Sequence, residues 1–294
     1  MERACPGPRA RAQPLLAIER IGDAAPRRLP RAARPLAGLR VLDLPRILAA
    51  PTCTRTLAEH GADVLRLSSP RQADIPNFVP DTSHGKRSAR LDLDAPGADH
   101  ELRELLAGCD VFVQGYRQGA LEARGFGPAS VADLRPGIVY VSIDAYGFDG
   151  PWAARRGWEQ LVQACTGVAL EHSACAPDCE RLPTVIPAAP SDYCSGHLAA
   201  LGAMIALLRQ SHEGGSWHVR VSLARTLGWI RDLGPVADGA VPRALTPAEI
   251  EAWSETRVTG WGTLGYLAPV AAMSVTPPRW ELASARPGQH APRW

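Results

Sequence analysis

The feature that most constrains the fold of this chain is a recurrence of short, almost wholly apolar runs separated by amphipathic segments. "GLRVLDL" (38–44), "ADVLRLS" (62–68), "SARLDLD" (88–94), "DVFVQGY" (110–116) and "IVYVSIDAYG" (138–147) read as buried strands. Between them "PTCTRTLAEHG" (51–61, closed by Gly61), "GADHELRELLAGC" and the short "SVADLRPG" read as helices. Strands without a polar face need cover on both sides, so the pattern predicts an α/β fold: a Rossmann-like parallel sheet with helices on both faces.

Further along, "WEQLVQACTGVALEH" is helical, and a Cys/Pro loop (173–190) leads into "PSDYCSGHLAALGAMIALL", an apolar, glycine-dotted helix ending near "RQSHEGG". The strand "WHVRVSL" follows it. Residues 1–34 are an Arg/Pro-rich segment whose run "PRRLPRAARP" reads as linker, with one apolar stretch, "PLLAIERIG", as a candidate remnant of a preceding domain. Residues 35–234 form the principal domain. Residues 235–294 read as an irregular C-terminal return segment in which only "PAEIEAWSE" looks helical.

A net charge of +2, with 21% charged and 46% hydrophobic residues, carries neither the basic excess of a nucleic-acid binder nor an acidic bias. Seven scattered cysteines, an odd number in a chain too long to need staples, favour a reduced, cytoplasmic protein. No run reaches the roughly 18 apolar residues of a membrane span. The expected partners are therefore neither nucleic acid nor membrane.

Several motifs fall short of a site. "SHGKRS" (83–88) is no phosphate loop, because Pro80 stands where the first glycine belongs, though Lys86 and Arg87 remain candidates for holding a phosphate. "GFGPAS" (125–130) lacks the final glycine of the dinucleotide fingerprint. "CAPDC" (175–179), with His172, offers three soft ligands where structural zinc takes four; a surface loop is the simpler reading, and no metal is assigned. No GxSxG elbow exists, and Cys194 reads as a small buried residue.

Asp192 has two readings. A carboxylate at a helix start accepts orphan N–H groups and is favoured by the dipole, which makes a structural N-cap. The same ionised carboxylate is a nucleophile, and the small residues behind it (Gly196, Ala199, Ala200, Gly202, Ala203) allow close approach of substrate or another element.

Taken in order, "PLAGLRVLDLPRILAAPTCTRTLAEHGADVLRL", "HGKRSARLDLDAPG", "CDVFVQGYRQGALEARGFGP", "RPGIVYVSIDAYGFDGPW", "GWEQLVQACTG" and "SDYCSGHLAALGAMIALLRQ" resemble the class III CoA-transferase family, also called the CaiB/BaiF or formyl-CoA transferase family. The likeness covers about residues 35–234, and the tail "GYLAPVAAMSVTPPRW" resembles the family's return segment. It implies that Asp192 attacks an acyl-CoA carbonyl to form a mixed anhydride. CoA thiolate then gives an aspartyl thioester, and the acceptor carboxylate forms a second anhydride before the new acyl-CoA leaves.

The resemblance also implies a CoA site at Leu48 and Ala49, Ser69, Leu91, Asp92, Leu93 and Asp94, then Gly115, Tyr116 and Arg117, completed by Arg156, Gly157 and Trp158. Cationic members suit the phosphates and Tyr116 the adenine. Glu159 is either a second acid at the reaction centre or a charge at a helix start. A usual phosphate-binding arginine is Ala123 here, with Arg124 as its substitute. Coenzyme A and acyl-CoA enter as substrates, with a carboxylic acid as acceptor; no permanently bound cofactor is implied.

Trp158 stands where the family's racemase branch has a histidine base, which disfavours α-proton transfer. Leu48 stands where the formyl branch has glutamine, which disfavours formate and oxalate chemistry. Family members continue into a smaller domain whose glycine-rich loop covers the site, and their dimers interlock. About sixty residues follow "WHVRVSL" here, so the lid is expected to be missing or to come from a partner in a homodimer or a heteromer with a related chain. An acyl-CoA racemase, a non-catalytic CoA-binding subunit and a truncated relic stay open as alternatives.

Overall fold

The apolar runs of the first half become strands, except that of "SARLDLD" only residues 88–90 belong to one, and residues 91–94 form the loop that follows it. The structure, a computed structural model, describes residues 12–44, 47–72, 74–174, 182–234 and 243–294. Strand β1 (Ala17–Gly22) precedes β2 (Arg40–Leu44), helix α1 (Ala49–Glu59), β3 (Asp63–Ser68), the single turn α2 (Val79–Thr82) and β4 (Lys86–Arg90). Then come α3 (Ala98–Ala107), β5 (Val111–Gln114), a 3-10 turn (Glu122–Arg124), α4 (Pro128–Leu134) and β6 (Val139–Asp144). The chain continues through α5 (Glu159–Thr166), α6 (Val168–Ala174), α7 (Pro190–Glu213), β7 (Ser216–Ser222) and α8 (Leu223–Asp232). It ends with α9 (Pro247–Ala252) and the hairpin β8 (Ser254–Thr259) and β9 (Gly262–Leu267).

The strands form a seven-stranded sheet in the order β1-β7-β6-β5-β2-β3-β4. From β2 onward they are parallel and follow the doubly wound Rossmann order, whose switch point falls between β2 and β5. Neighbouring residues of a strand serve opposite faces. Val41, Val64, Val113, Val141 and Val219 join a core with α1, α7 and α8, while Leu42, Leu65, Phe112 and Tyr140 join a second core with α3 and α4. That double burial is why the strands lack a polar face.

Close helix packing depends on missing side chains. A Cβ on Gly196 would lie 2.6 Å from the Ala49 carbonyl oxygen and 2.6 Å from the Thr52 Cβ, so the glycine lets α7 touch the start of α1. The small residues of α7 thus admit a neighbouring element; of the two occupants the sequence allowed, it is the protein itself that fills this face.

Three sequence expectations are corrected. The stretch read as a remnant contains β1, which pairs antiparallel with β7 and closes that edge of the otherwise parallel sheet. The C-terminal segment is irregular only in part: the expected helix, α9, carries a reciprocal Thr246–Glu249 capping box, an unexpected hairpin follows it, and residues 268–294 have no helix or strand. Beyond the hairpin the chain returns to the β4 edge, where the His290 N–H donates to the Ser88 carbonyl (2.8 Å) and the Trp294 indole donates to the Leu105 carbonyl (2.8 Å). Edge pairing of this kind depends on distant backbone, which local pattern does not report. Helix α8 adds an element beyond the expected ones; its Ser222 cap accepts the Arg225 N–H (3.2 Å).

Lys86 gives the third correction. It begins β4, at the end of a parallel strand opposite to the strands' carboxyl ends, and is fully buried. Its ammonium donates to Asp43 Oδ2 (2.9 Å), the Pro51 carbonyl (2.8 Å) and Thr54 Oγ1 (2.6 Å), so its donors are consumed inside the core. Arg87, next to it, forks onto Asp63 (3.0 and 2.9 Å) and lies over the Trp294 ring. Neither reaches the carboxyl ends of the strands, where an α/β sheet binds ligand.

Two stability outcomes follow. Gly196→Ala should lower stability by about 1–3 kcal/mol through overpacking of α1 against α7, read as a lower urea midpoint at constant m value. Lys86→Met should cost about 3–5 kcal/mol by leaving the Asp43 carboxylate buried and unpaired, and adding Asp43→Leu should recover much of that loss.

Candidate active site

The carboxyl ends of the parallel strands open into a cleft of about 840 Å³, within the range of about 300–1,000 Å³ usual for small-molecule sites. Ser69 and Gln72 follow β3, Leu91, Asp92, Leu93 and Asp94 follow β4, and Gly115, Tyr116 and Arg117 follow β5; all line the cleft. Arg124, Arg156, Gly157 and Trp158 line it as well. Leu48, Ala49, Lys86 and Arg87 do not: Leu48 and Ala49 are buried at the start of α1, and among the described residues of that loop Ile47 is the one at the cleft.

Ile47 has φ +59°, a left-handed conformation that a β-branched side chain adopts only under strain. Arg124 is an ion-pair partner of Asp94 and donates to the Leu93 carbonyl (2.8 Å), so it ties down the loop after β4. Asp144, at the end of β6, also lines the cleft and was not singled out in the sequence. Its Oδ1 accepts the N–H groups of Tyr146 (2.8 Å) and Gly147 (2.9 Å), yet burial pushes its pKa up to about 7. The rule that ligands gather at strand carboxyl ends was the signal that could have found it.

Trp158 leads directly into Glu159, and Glu159 leads to Asp192. One oxygen of the buried Glu159 carboxylate accepts the Asp192 N–H (2.7 Å) and the Ser191 hydroxyl (2.6 Å). The other accepts the Gln163 amide (2.7 Å) and a long contact from the Ser191 N–H (3.4 Å). Gln163 in turn accepts the Ile186 N–H (2.7 Å), which pins the segment entering α7. Glu159 thus satisfies the orphan amides at the head of a 24-residue helix from a different part of the chain.

This arrangement revises the structural reading of Asp192. The N-cap of α7 is Ala189, at φ +47° and with no side-chain cap, and Pro190 opens the helix. Asp192 is the third helical residue, 6% exposed. Burial, and then the negative charge of Glu159, raise its pKa to about 7, against the pull of the helix dipole toward ionisation. Cys194, expected to be buried, is half-buried; burial and then the charge of Glu159 push its thiol pKa up.

Among the described residues no His, Cys, Asp and Glu cluster could hold a metal ion, and Cys175 and Cys179 lie outside those residues. No helix among them is long and apolar enough to cross a membrane. None of residues 243–294 lines the cleft.

A sheet of doubly wound order with a cleft at its carboxyl ends defines a Rossmann-like α/β protein. The family model described as CoA-transferase family III matches residues 36–241, and the chain belongs to that family. It is 40% identical over 207 residues to the acetyl-coenzyme A transferase nodX of Hypoxylon pulicicidum, covering 68% of this chain and 34% of that protein. It is 32% identical over 203 residues to the formyl-CoA:oxalate CoA-transferase of Afipia carboxidovorans, covering 65% of this chain and 47% of that one. The crystal structure of Rv3272 from Mycobacterium tuberculosis superposes with a TM-score of 0.62 at 29% identity, over 68% of this chain and 57% of that one. The chain spans about a third to a half of the length of these curated relatives.

The raised acid has a stability signature. The native state holds the Asp192 proton up to about pH 7, whereas an unfolded aspartate releases it near 3.9. Stability is therefore fully present below the unfolded value and is lost as pH rises through about 7. Asp192→Asn should raise the thermal midpoint at pH 8, by a free energy on the order of 2–4 kcal/mol, and change little at pH 4.

Proposed function

We propose that the chain carries the acyl-CoA-handling part of a CoA-transferase, with the cleft holding the coenzyme and Asp192 as the acyl-accepting nucleophile. The observation that carries this reading is the continuity Arg156-Gly157-Trp158-Glu159: the first three residues line the cleft and the fourth grips the Asp192 amide at 2.7 Å. A thioester bound with its phosphates toward Arg117 and Arg156 has its reacting carbonyl carried toward the head of α7.

In this reading the Asp192 carboxylate adds to the thioester carbonyl, the C–S bond breaks, and CoA leaves as thiolate. The enzyme then holds a mixed anhydride. The thiolate attacks the aspartyl carbonyl, releasing the donor acid and leaving an aspartyl thioester. Attack by the acceptor carboxylate on that thioester frees the thiolate again and forms a second anhydride, and the thiolate takes the new acyl group while Asp192 is restored. A carboxylate with a raised pKa is a stronger nucleophile than an ordinary aspartate, and near neutral pH a useful fraction is ionised.

Glu159 serves as a positioning residue, because both its oxygens are engaged by Ser191, Asp192 and Gln163 and none is left to exchange a proton with substrate. At Trp158 an indole offers no base, which argues against the racemase alternative. A second chain, identical or related, is the proposed source of what closes over the cleft.

Incubation with an acyl-CoA donor and hydroxylamine should convert Asp192 to a hydroxamate, detected by peptide mass spectrometry, and Asp192→Ala should abolish both labelling and transfer. Absence of label in a protein that still transfers CoA would overturn the nucleophile assignment. The acidic limb of the kcat/KM profile should fall near pH 7, and Glu159→Gln should move it downward by removing the neighbouring charge. A purely structural Glu159 would lower activity at all pH values and leave the limb in place.

A further inference from the structure

The turn between α2 and β4 belongs to "SHGKRS", the motif that fails as a phosphate loop, and it holds a histidine outside the candidate active site. His84 is 1% exposed. Its ring lies between two aromatic side chains of the C-terminal segment, with centroids 4.1 Å from Tyr266 and 5.1 Å from Trp280. Among the described residues neither ring nitrogen has a hydrogen-bond partner. A neutral imidazole donates from one nitrogen and accepts at the other, and a protonated one donates from both. A proton on His84 would therefore bury a charge and two donors among rings that offer no acceptor.

The aromatic cover is attached to the body of the protein around this ring. The Trp280 indole donates to the Arg55 carbonyl (3.1 Å), and the Arg55 guanidinium lies 5.5 Å over the indole. Gly85, at φ +74°, leaves the room: an added Cβ would meet Trp280 Cδ1 at 2.7 Å and the Ala58 Cβ at 2.9 Å. The Gly85 N–H donates to the Leu282 carbonyl (3.0 Å), and the Arg279 N–H donates to the Glu59 carbonyl (3.0 Å). The return segment thus rests on the His84 turn and on α1.

Four charged groups face the imidazole: Arg55 from α1, Asp81 from α2, and Glu255 and Arg257 from β8. Each has its own partner. Arg55 pairs with Asp81 (2.5 Å), Glu255 accepts the Tyr266 hydroxyl (2.7 Å), and Arg257 donates to the Trp280 and Glu281 carbonyls (3.0 and 2.7 Å). The two acids and the two arginines act on the ring in opposite directions, so burial dominates and lowers the His84 pKa to about 4. Glu59, raised to about 7 by burial, titrates in the opposite sense.

We propose that His84 is a pH-dependent latch: its neutral ring seats the return segment, residues 266–282, against α1 and the head of β4, and protonation releases that segment while the sheet stays folded. A histidine in solvent takes up its proton near 6.5. Seating is therefore fully supported above that value and is lost as pH falls from it toward about 4.

Hydrogen exchange of the full chain, read by peptide mass spectrometry at pH 7 and pH 5 and corrected for intrinsic rates, tests the latch. Protection of the Gly85 and Arg279 N–H groups should fall about 20-fold between the two pH values, while peptides from α7 keep theirs. His84→Phe puts an uncharged ring in the same place, and His84→Leu a smaller apolar group; at least one should seat the segment at pH 7 and abolish the fall. Equal protection at both pH values in the unmodified chain would overturn the proposal. So would a parallel loss in α7, a fall that persists in both variants, or variants that both leave the segment unseated at pH 7.

Discussion

The buried Glu159 carboxylate is the interaction on which the candidate site depends. Helix α7 starts at a proline after a residue in the left-handed region, with no side chain of its own to cap it. Its first amides would be left without partners inside the protein, at a cost of roughly 1–3 kcal/mol each. Glu159 supplies those partners from the start of α5, and so fixes the position of Asp192 relative to the cleft. Burial lifts the Asp192 pKa most and the same negative charge adds to it, so one side chain places the acid and helps tune it.

A second constraint sits beneath the first. Helix α7 can bring Asp192 to the carboxyl ends of the strands only because its small residues let it lie against α1 and the sheet. The Asp43–Lys86–Thr54 cluster anchors the start of α1 from below through the Pro51 carbonyl. Stability and site geometry are therefore coupled: loosening either the glycine contact or the buried ion pair would displace the loop that carries Ile47. Strain at Ile47 is the local counterpart of that coupling, a conformation kept because its surroundings hold it.

The family's breadth fits this division of labour. The matched residues 36–241 are common ground between this chain and relatives whose names specify acetyl, formyl and oxalate chemistry.

Period and composition were enough to determine the α/β class and the helix carrying Asp192, because double-sided burial is a local property of the chain; the positions around Ser69, Leu91–Asp94 and Gly115–Arg117 came from the resemblance to a family and not from the pattern. The roles of Lys86 and Arg87 were not legible, since two adjacent bases look alike whether they stand at the carboxyl end or the opposite end of a parallel strand. The pairing of β1 with β7, the return of the tail to the β4 edge and the exchange of Asp192 for Glu159 as the capping group all join residues far apart in sequence. Only the tertiary structure could decide them, because burial and hydrogen-bond partnership are set by which distant backbone and side chains the packed sheet brings within reach.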